Sequence, residues 1–119
     1  MGAIGLRRAY EPPGPGDGYR VLVDRIWPRG RSREELALAA WRKDLAPSPA
    51  LRRWFGHDPA RWEEFRTRYL RELASAEPGD LPERCRAGTV TLVYGARDAH
   101  HNHALVLQEY LARCLDQRA

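Results

Sequence analysis

Residues 19–30, Y-R-V-L-V-D-R-I-W-P-R-G, limit what this chain can fold into more than any other stretch. Val21, Leu22 and Val23 in succession suit a strand covered on both faces, because successive side chains point to opposite sides of a sheet. Pro28 cannot continue a ladder and Gly30 releases the backbone. The strand is therefore expected within residues 19–27, ending about where Asp24, Arg25 and Arg29 appear. In an open α/β sheet, ligands gather beyond the carboxyl ends of the strands. A carboxylate and two guanidinium groups at such an edge make the leading site candidate.

A second strand signal is T-V-T-L-V-Y, residues 89–94, which delivers Gly95, Arg97 and Asp98 to its own carboxyl end. The long helical connection between the two strands predicts a parallel, right-handed relationship. If they are neighbours, Asp24-Arg25 and Arg97-Asp98 face one crevice. A short opening strand is expected over residues 4–9. Residues 11–18, E-P-P-G-P-G-D-G, are rigid turn material too short for a helical crossover. That brevity favours an antiparallel pairing of the first two strands; an irregular wrap leaving them parallel is the alternative.

Ser32 followed by Glu35 fits a capping box at a helix start. Leu38, Trp41 and Leu45 continue it as an apolar stripe at three- and four-residue spacing, with Lys43 roughly opposite, until Pro47 and Pro49 stop the helix. A short helix is expected over residues 50–55, with Gly56 as its C-terminal cap. Asp58-Pro59 opens the next, with Asp as cap and Pro at the first helical position. Trp62, Phe65, Tyr69 and Leu73 line its buried face. A minor helix is expected over residues 81–86, and Asp98 is read as the cap of the last helix, whose core face includes Ala104, Leu107 and Leu111.

These elements predict a single α/β domain over residues 1–119, in three layers, with a small, mostly parallel central sheet flanked by helices. No apolar run approaches the ~20 residues that span a bilayer, and no signal-peptide pattern opens the chain, so a cytoplasmic protein without membrane contact is expected. Cys85 and Cys114 lack metal-ligand spacing and read as reduced packing thiols. The net charge of +4 and pI of about 9.5 favour anionic partners. Yet Arg61, Arg66, Arg68 and Arg71 alternate with Glu63, Glu64 and Glu72, which reads as a solvated face and not a nucleic-acid stripe. Lys43 is the single lysine among the 20 Lys and Arg residues, and Asn102 is the single asparagine, so both draw interest against an arginine-biased background.

The crevice reads chemically as an anion site. Arg25, Arg29 and Arg97 offer planar forks for a phosphate or carboxylate, and a following helix N-terminus adds free N–H groups. Asp24 would orient an arginine or act as a base, and His101 would carry a proton near neutral pH. Lys43 and Asn102 would lend polar contacts, and His57 is a further imidazole from a loop. His100 and His103 share a helical face, but His-x-x-His without more ligands does not make a metal site. No metal or cofactor is expected, and no nucleophile stands in a recognisable setting.

The segments V-L-V-D-R-I-W-P-R-G (21–30), W-R-K-D-L-A-P (41–47), W-F-G-H-D (54–58), R-W-E-E-F-R-T-R-Y (61–69) and A-R-D-A-H-H-N-H-A (96–104) resemble the YeaO-like branch of the domain-of-unknown-function 488 family. The resemblance covers nearly the whole chain in order. It implies a small cytoplasmic bacterial protein with a three-layer α/β fold and carries no activity with it. Longer members of the wider family have a strand ending V-D-V-R before a proline, matched here by Val23, Asp24, Arg25 and Pro28. They also have a Cys-bearing strand, a Lys-Asp pair and a His-Cys-His run. Tyr94, Arg97-Asp98 and His101-Asn102-His103 hold those places here, so both family cysteines are missing.

Two functions follow as expectations. The first is a site for a small phosphate- or nucleotide-like anion, with or without acid–base catalysis. The second is a non-enzymatic module that binds nucleic acid or protein through its basic surface. The sequence does not set the oligomeric state.

Overall fold

The computed structural model describes residues 3–117. Four strands form one sheet: β1 (Ile4–Arg8), β2 (Tyr19–Leu22), β3 (Ala40–Trp41) and β4 (Val90–Tyr94), in the order β1-β4-β2-β3. All pairings are parallel. The helices are α1 (Arg33–Leu36), α2 (Pro49–Phe55), α3 (Trp62–Leu73), α4 (Leu81–Ala87) and α5 (His103–Gln117). The expected α/β class is borne out.

The sheet's two faces bury different chemistry. Val21, Val23, Val90, Leu92 and Tyr94 point to the thick face, where Phe55, Phe65, Tyr69, Leu73, Leu107 and Leu111 of the longer helices close the main core. The aromatic stripe of α3 is thus core, and the Tyr69 hydroxyl is satisfied by donating to the Leu45 carbonyl. Leu22 and Val93 alternate to the opposite face, packing with Ala9 and Leu36 under a thin layer of loop and the single turn of α1. Arg20 and Thr91 point the same way, and Asp17 in the covering loop meets both.

The antiparallel expectation for the first two strands is corrected. β1 and β2 do not pair; β4 lies between them and runs parallel to both. Residues 9–18 therefore cross β4 without a helix, and the carboxylate of Asp17 clamps that loop to Arg7 and Arg20.

The long helix expected from Ser32 is also corrected. Both hydrogen bonds of the capping box form, but the helix lasts one turn and ends at Ala37 in the left-handed region. The Ala39 and Arg42 amides then donate to the Arg20 and Leu22 carbonyls instead of continuing a helix, which makes β3 the sheet's edge. Lys43–Leu45 is a separate 3-10 turn. Since the box satisfies two otherwise free donors, Ser32→Ala should cost about 0.5–2 kcal/mol, read as a lower midpoint in urea unfolding.

Elsewhere the local signals hold. Gly56 ends α2 with φ of 54°, and the Asp58 side chain caps a 3-10 turn leading into α3. No helix among the described residues is long and apolar enough to cross a membrane.

Candidate functional site

The register places the two expected segments together. Leu22 pairs with Val93, and Val23 N–H donates to the Val93 carbonyl at 3.0 Å, so Asp24 emerges level with Gly95. Asp24 Oδ2 accepts from Gly95 N–H at 2.9 Å. A Cβ on Gly95 would sit 3.0 Å from that oxygen, so the close approach favours glycine.

His103 opens α5 against the same carboxylate. Its Nε2 lies 3.0 Å from the Val23 carbonyl and 3.2 Å from Asp24 Oδ1. A carbonyl only accepts, so Nε2 carries a proton. Asp24 Oδ1 is buried and receives no well-aligned hydrogen bond. Asp24 thus joins β2, β4 and α5, and it does not pair with Arg25.

Arg25 is half-buried. Its Nη2 donates weakly to the Pro47 carbonyl at 3.4 Å, while Nε is buried without an acceptor. Pro47 also lines a cavity of about 50 Å³ on the thick face. Phe55 and Phe65 form apolar walls of the cavity, and Arg52, His57, His101, Asn102 and His103 supply its polar groups. Among the described residues no Ser, Thr or Cys lines it.

Asp98 organises the approach to α5. Its Oδ1 accepts from the His100 and His101 amides at 2.8 and 3.1 Å, and its Oδ2 lies 2.8 Å from His101 Nδ1. The His100 amide, followed by the His101 ring, holds the Asp98 carboxyl below the ordinary aspartate range. A proton on Nδ1, shared with Asp98, leaves His101 Nε2 as the imidazole's second polar atom. Trp62 meets the ring edge-on at a centroid distance of 5.5 Å.

Asp98 is not the cap of the last helix. Asn102 is, accepting from Leu105 N–H at 3.2 Å and donating to the Asp98 carbonyl at 2.9 Å. Asn102 is only 2 % exposed, and both ends of its amide serve the fold. His100 and His101 accordingly lie before the helix and not in its first turn.

Asp24 and Arg25 leave the carboxyl edge of β2, and His101 and Asn102 follow that of β4; Asp24 reaches Gly95 and His103, Arg25 reaches the Pro47 carbonyl, and His101 and Asn102 line the cavity beside Pro47. Arg97 leaves the same edge but is exposed. Arg29 is exposed and its carbonyl accepts from the Tyr10 hydroxyl, and Lys43 Nζ stands 4.3 Å over the Trp41 ring; neither side chain lines the cavity. Arg52 and His103 were not singled out by sequence as polar groups of this site. The four-residue step from Arg52 to Gly56, the cap of α2, is the signal that could have drawn Arg52 in.

The family model described as the inactive DUF488-N3 subclade matches residues 3–119. The chain belongs to that family. Escherichia coli (strain K12) YeaO is 42% identical over 110 residues, covering 91% of this chain and 96% of the relative. Mycobacterium bovis Mb3100c and Mycobacterium tuberculosis Rv3073c are each 42% identical over 109 residues, covering 91% of this chain and 92% of their own. All three are named as uncharacterized proteins. No solved structure matches the chain. The expected YeaO-like resemblance is thus borne out, and the convergence of residues 21–30 with 96–104 is a property of a DUF488-N3 member. Among the described residues no cluster of three or more His, Cys, Asp or Glu side chains is placed to hold a metal.

Proposed function

We propose that this chain binds a small oxyanion, a phosphate or the phosphate end of a larger molecule, in the crevice beyond β2 and β4. The observation that carries the reading is Arg25: a half-buried guanidinium with an unsatisfied Nε, whose Nη2 reaches the carbonyl of Pro47, one of the residues that line the histidine-bearing cavity. Unpaired buried donors are costly, and an anion accepting from them recovers that cost. Arg52 would meet the ligand from the rim, and His101 would donate from Nε2 when protonated. α5 begins beside the cavity, at Asn102 and His103, so the positive end of its dipole would favour an anion there. Asp24 would keep the crevice in shape through Gly95 and His103, a positioning role.

Size separates this reading from a fully enclosed nucleotide. Pockets that bury drug-sized molecules hold roughly 300–1,000 Å³, whereas this cavity holds about 50 Å³. Only the anionic end would be seated. A cavity without Ser, Thr or Cys, in a subclade described as inactive, supports binding over turnover.

Isothermal titration with inorganic phosphate tests this. Charge-assisted hydrogen bonds contribute about 1.5–3 kcal/mol, so Arg25→Ala should weaken binding roughly tenfold or more. Arg29→Ala should leave affinity within about twofold, because that side chain is exposed and does not line the cavity. Equal affinity for wild type and Arg25→Ala would discard the assignment.

A further inference from the structure

On the thin side of the sheet lies a second surface that the anion site does not use. Among the described residues the exposed large apolar side chains are Tyr10, Ile26 and Trp41, at 41 %, 62 % and 36 % exposure. A chain of contacts links two of them. The Tyr10 hydroxyl donates to the Arg29 carbonyl at 3.1 Å, and the Arg8 and Arg31 guanidiniums lie 5.4 and 5.8 Å from the Tyr10 ring centre. The Arg31 carbonyl accepts from Trp27 Nε1 at 2.7 Å, and Trp27 meets Trp41 edge-to-face at 5.4 Å. Lys43 stands over Trp41. Between Trp27 and Trp41, a cleft of about 260 Å³ is closed by Arg33 and Leu38.

Both indole N–H groups are already spent on backbone carbonyls, that of Trp41 on Asp24 at 2.7 Å. The rings are therefore fixed, and they lose little freedom on stacking. The local carboxylates are largely committed: Glu35 serves the Ser32 amide and Arg31, Glu11 accepts from the Arg8 amide, and Asp24 faces Gly95 and His103. Glu34 alone stands free on α1. The face is cationic, with fixed aromatic rings interleaved.

We propose that this face binds single-stranded nucleic acid, with bases stacked at Trp41 and Trp27 and phosphates met by Arg29, Arg33 and Lys43. Rings of fixed orientation beside cations match a polymer that offers a π-face and a charge at every residue. A duplex hides its bases, and an acidic peptide offers charge without planar faces. The inference does not depend on the oxyanion cavity.

The test is fluorescence anisotropy of a labelled short oligothymidylate bound to the intact chain. Single strand should bind with an affinity that falls steeply with salt. Loss of one stacking platform in Trp41→Ala should weaken it roughly tenfold. Lys43→Glu, an exposed change that leaves the core alone, should weaken it as well, and Arg25→Ala should not. The proposal is overturned if single strand fails to bind, if Trp41→Ala and Lys43→Glu both bind as wild type, or if duplex or polyglutamate competes as well as single strand.

Discussion

Asp17→Ala is expected to lower the unfolding free energy by about 3–5 kcal/mol, the usual result of removing one partner from a buried ion pair. Asp17 is 6 % exposed and Arg20 3 %. The carboxylate accepts from Arg7 Nε and Nη2, from Gly14 N–H at 3.0 Å and from Arg20 Nη1 at 2.5 Å. Its own carbonyl accepts from Thr91 Oγ1 at 2.7 Å, on the central strand. Without the carboxylate, Arg20 keeps one bond to the Leu36 carbonyl and a guanidinium whose Nη2 is already unsatisfied. The loop that crosses β4 loses its clamp at the same time.

The effect depends on pH with a definite sign. Burial pushes the Asp17 carboxyl up, but the bonds from Arg7, Gly14 and Arg20 outweigh it and hold the group below the ordinary aspartate value. A lowered native pKa stabilises the fold fully above the unfolded value, about 3.9, and that contribution is lost as pH falls through the native pKa. Urea unfolding of wild type and Asp17→Ala should show the widest gap near neutrality and a shrinking gap below about pH 4. A gap that stays constant into strong acid contradicts this account of the clamp.

Gly18→Ala should cost about 2–4 kcal/mol, measured the same way, from left-handed strain and overpacking together. Gly18 has φ of 63°, and a Cβ there would lie 2.3 Å from the Thr89 carbonyl oxygen. That oxygen accepts the Tyr19 amide at 3.0 Å, the bond that starts β2 alongside β4. The methyl group must therefore displace the backbone that sets the register. Gly16 is the control: nothing lies within 4 Å of its Cβ position and its φ is not positive, so Gly16→Ala should be near neutral. Equal losses at both positions would remove the steric argument.

What the sequence made legible was local or strongly apolar. The continuous run at Val21–Val23 announced a strand buried on both faces, T-V-T-L-V-Y announced a second strand, and the long connection announced their parallel alignment. The capping box at Ser32 and the Asp-Pro start at residue 58 needed only nearest neighbours. Failures came where several local readings share one pattern. Leu38, Trp41 and Leu45 fit a helical stripe, yet Leu38 turns into the small core of the thin face and Trp41 ends on an edge strand. A strand of two residues has no alternation to read.

The first crossover was illegible for another reason. Whether β1 and β2 pair depends on β4, some seventy residues later, slotting between them. Similarly, Asp98 and Asn102 both have capping chemistry, and only the packing of α5 decides that Asn102 caps while Asp98 shapes the preceding turn. At the site, Asp24, Arg25 and His101 were visible because charge follows an apolar strand. Arg29 and Lys43 looked equivalent in sequence but lie with the aromatic face, since the chain turns sharply after Asp24.

Arg25 and the start of α5 are proposed to form together a receptor for a small oxyanion. Its most direct measurement is a phosphate titration of the isotopically labelled protein followed by amide and guanidinium NMR. Saturable shifts are expected at Arg25 Nε and at the amides of Ala96 and residues 101–104, and the amide shifts should need roughly tenfold or more phosphate to saturate in Arg25→Ala. Shifts that never saturate, or that persist unchanged in Arg25→Ala, would contradict the proposal.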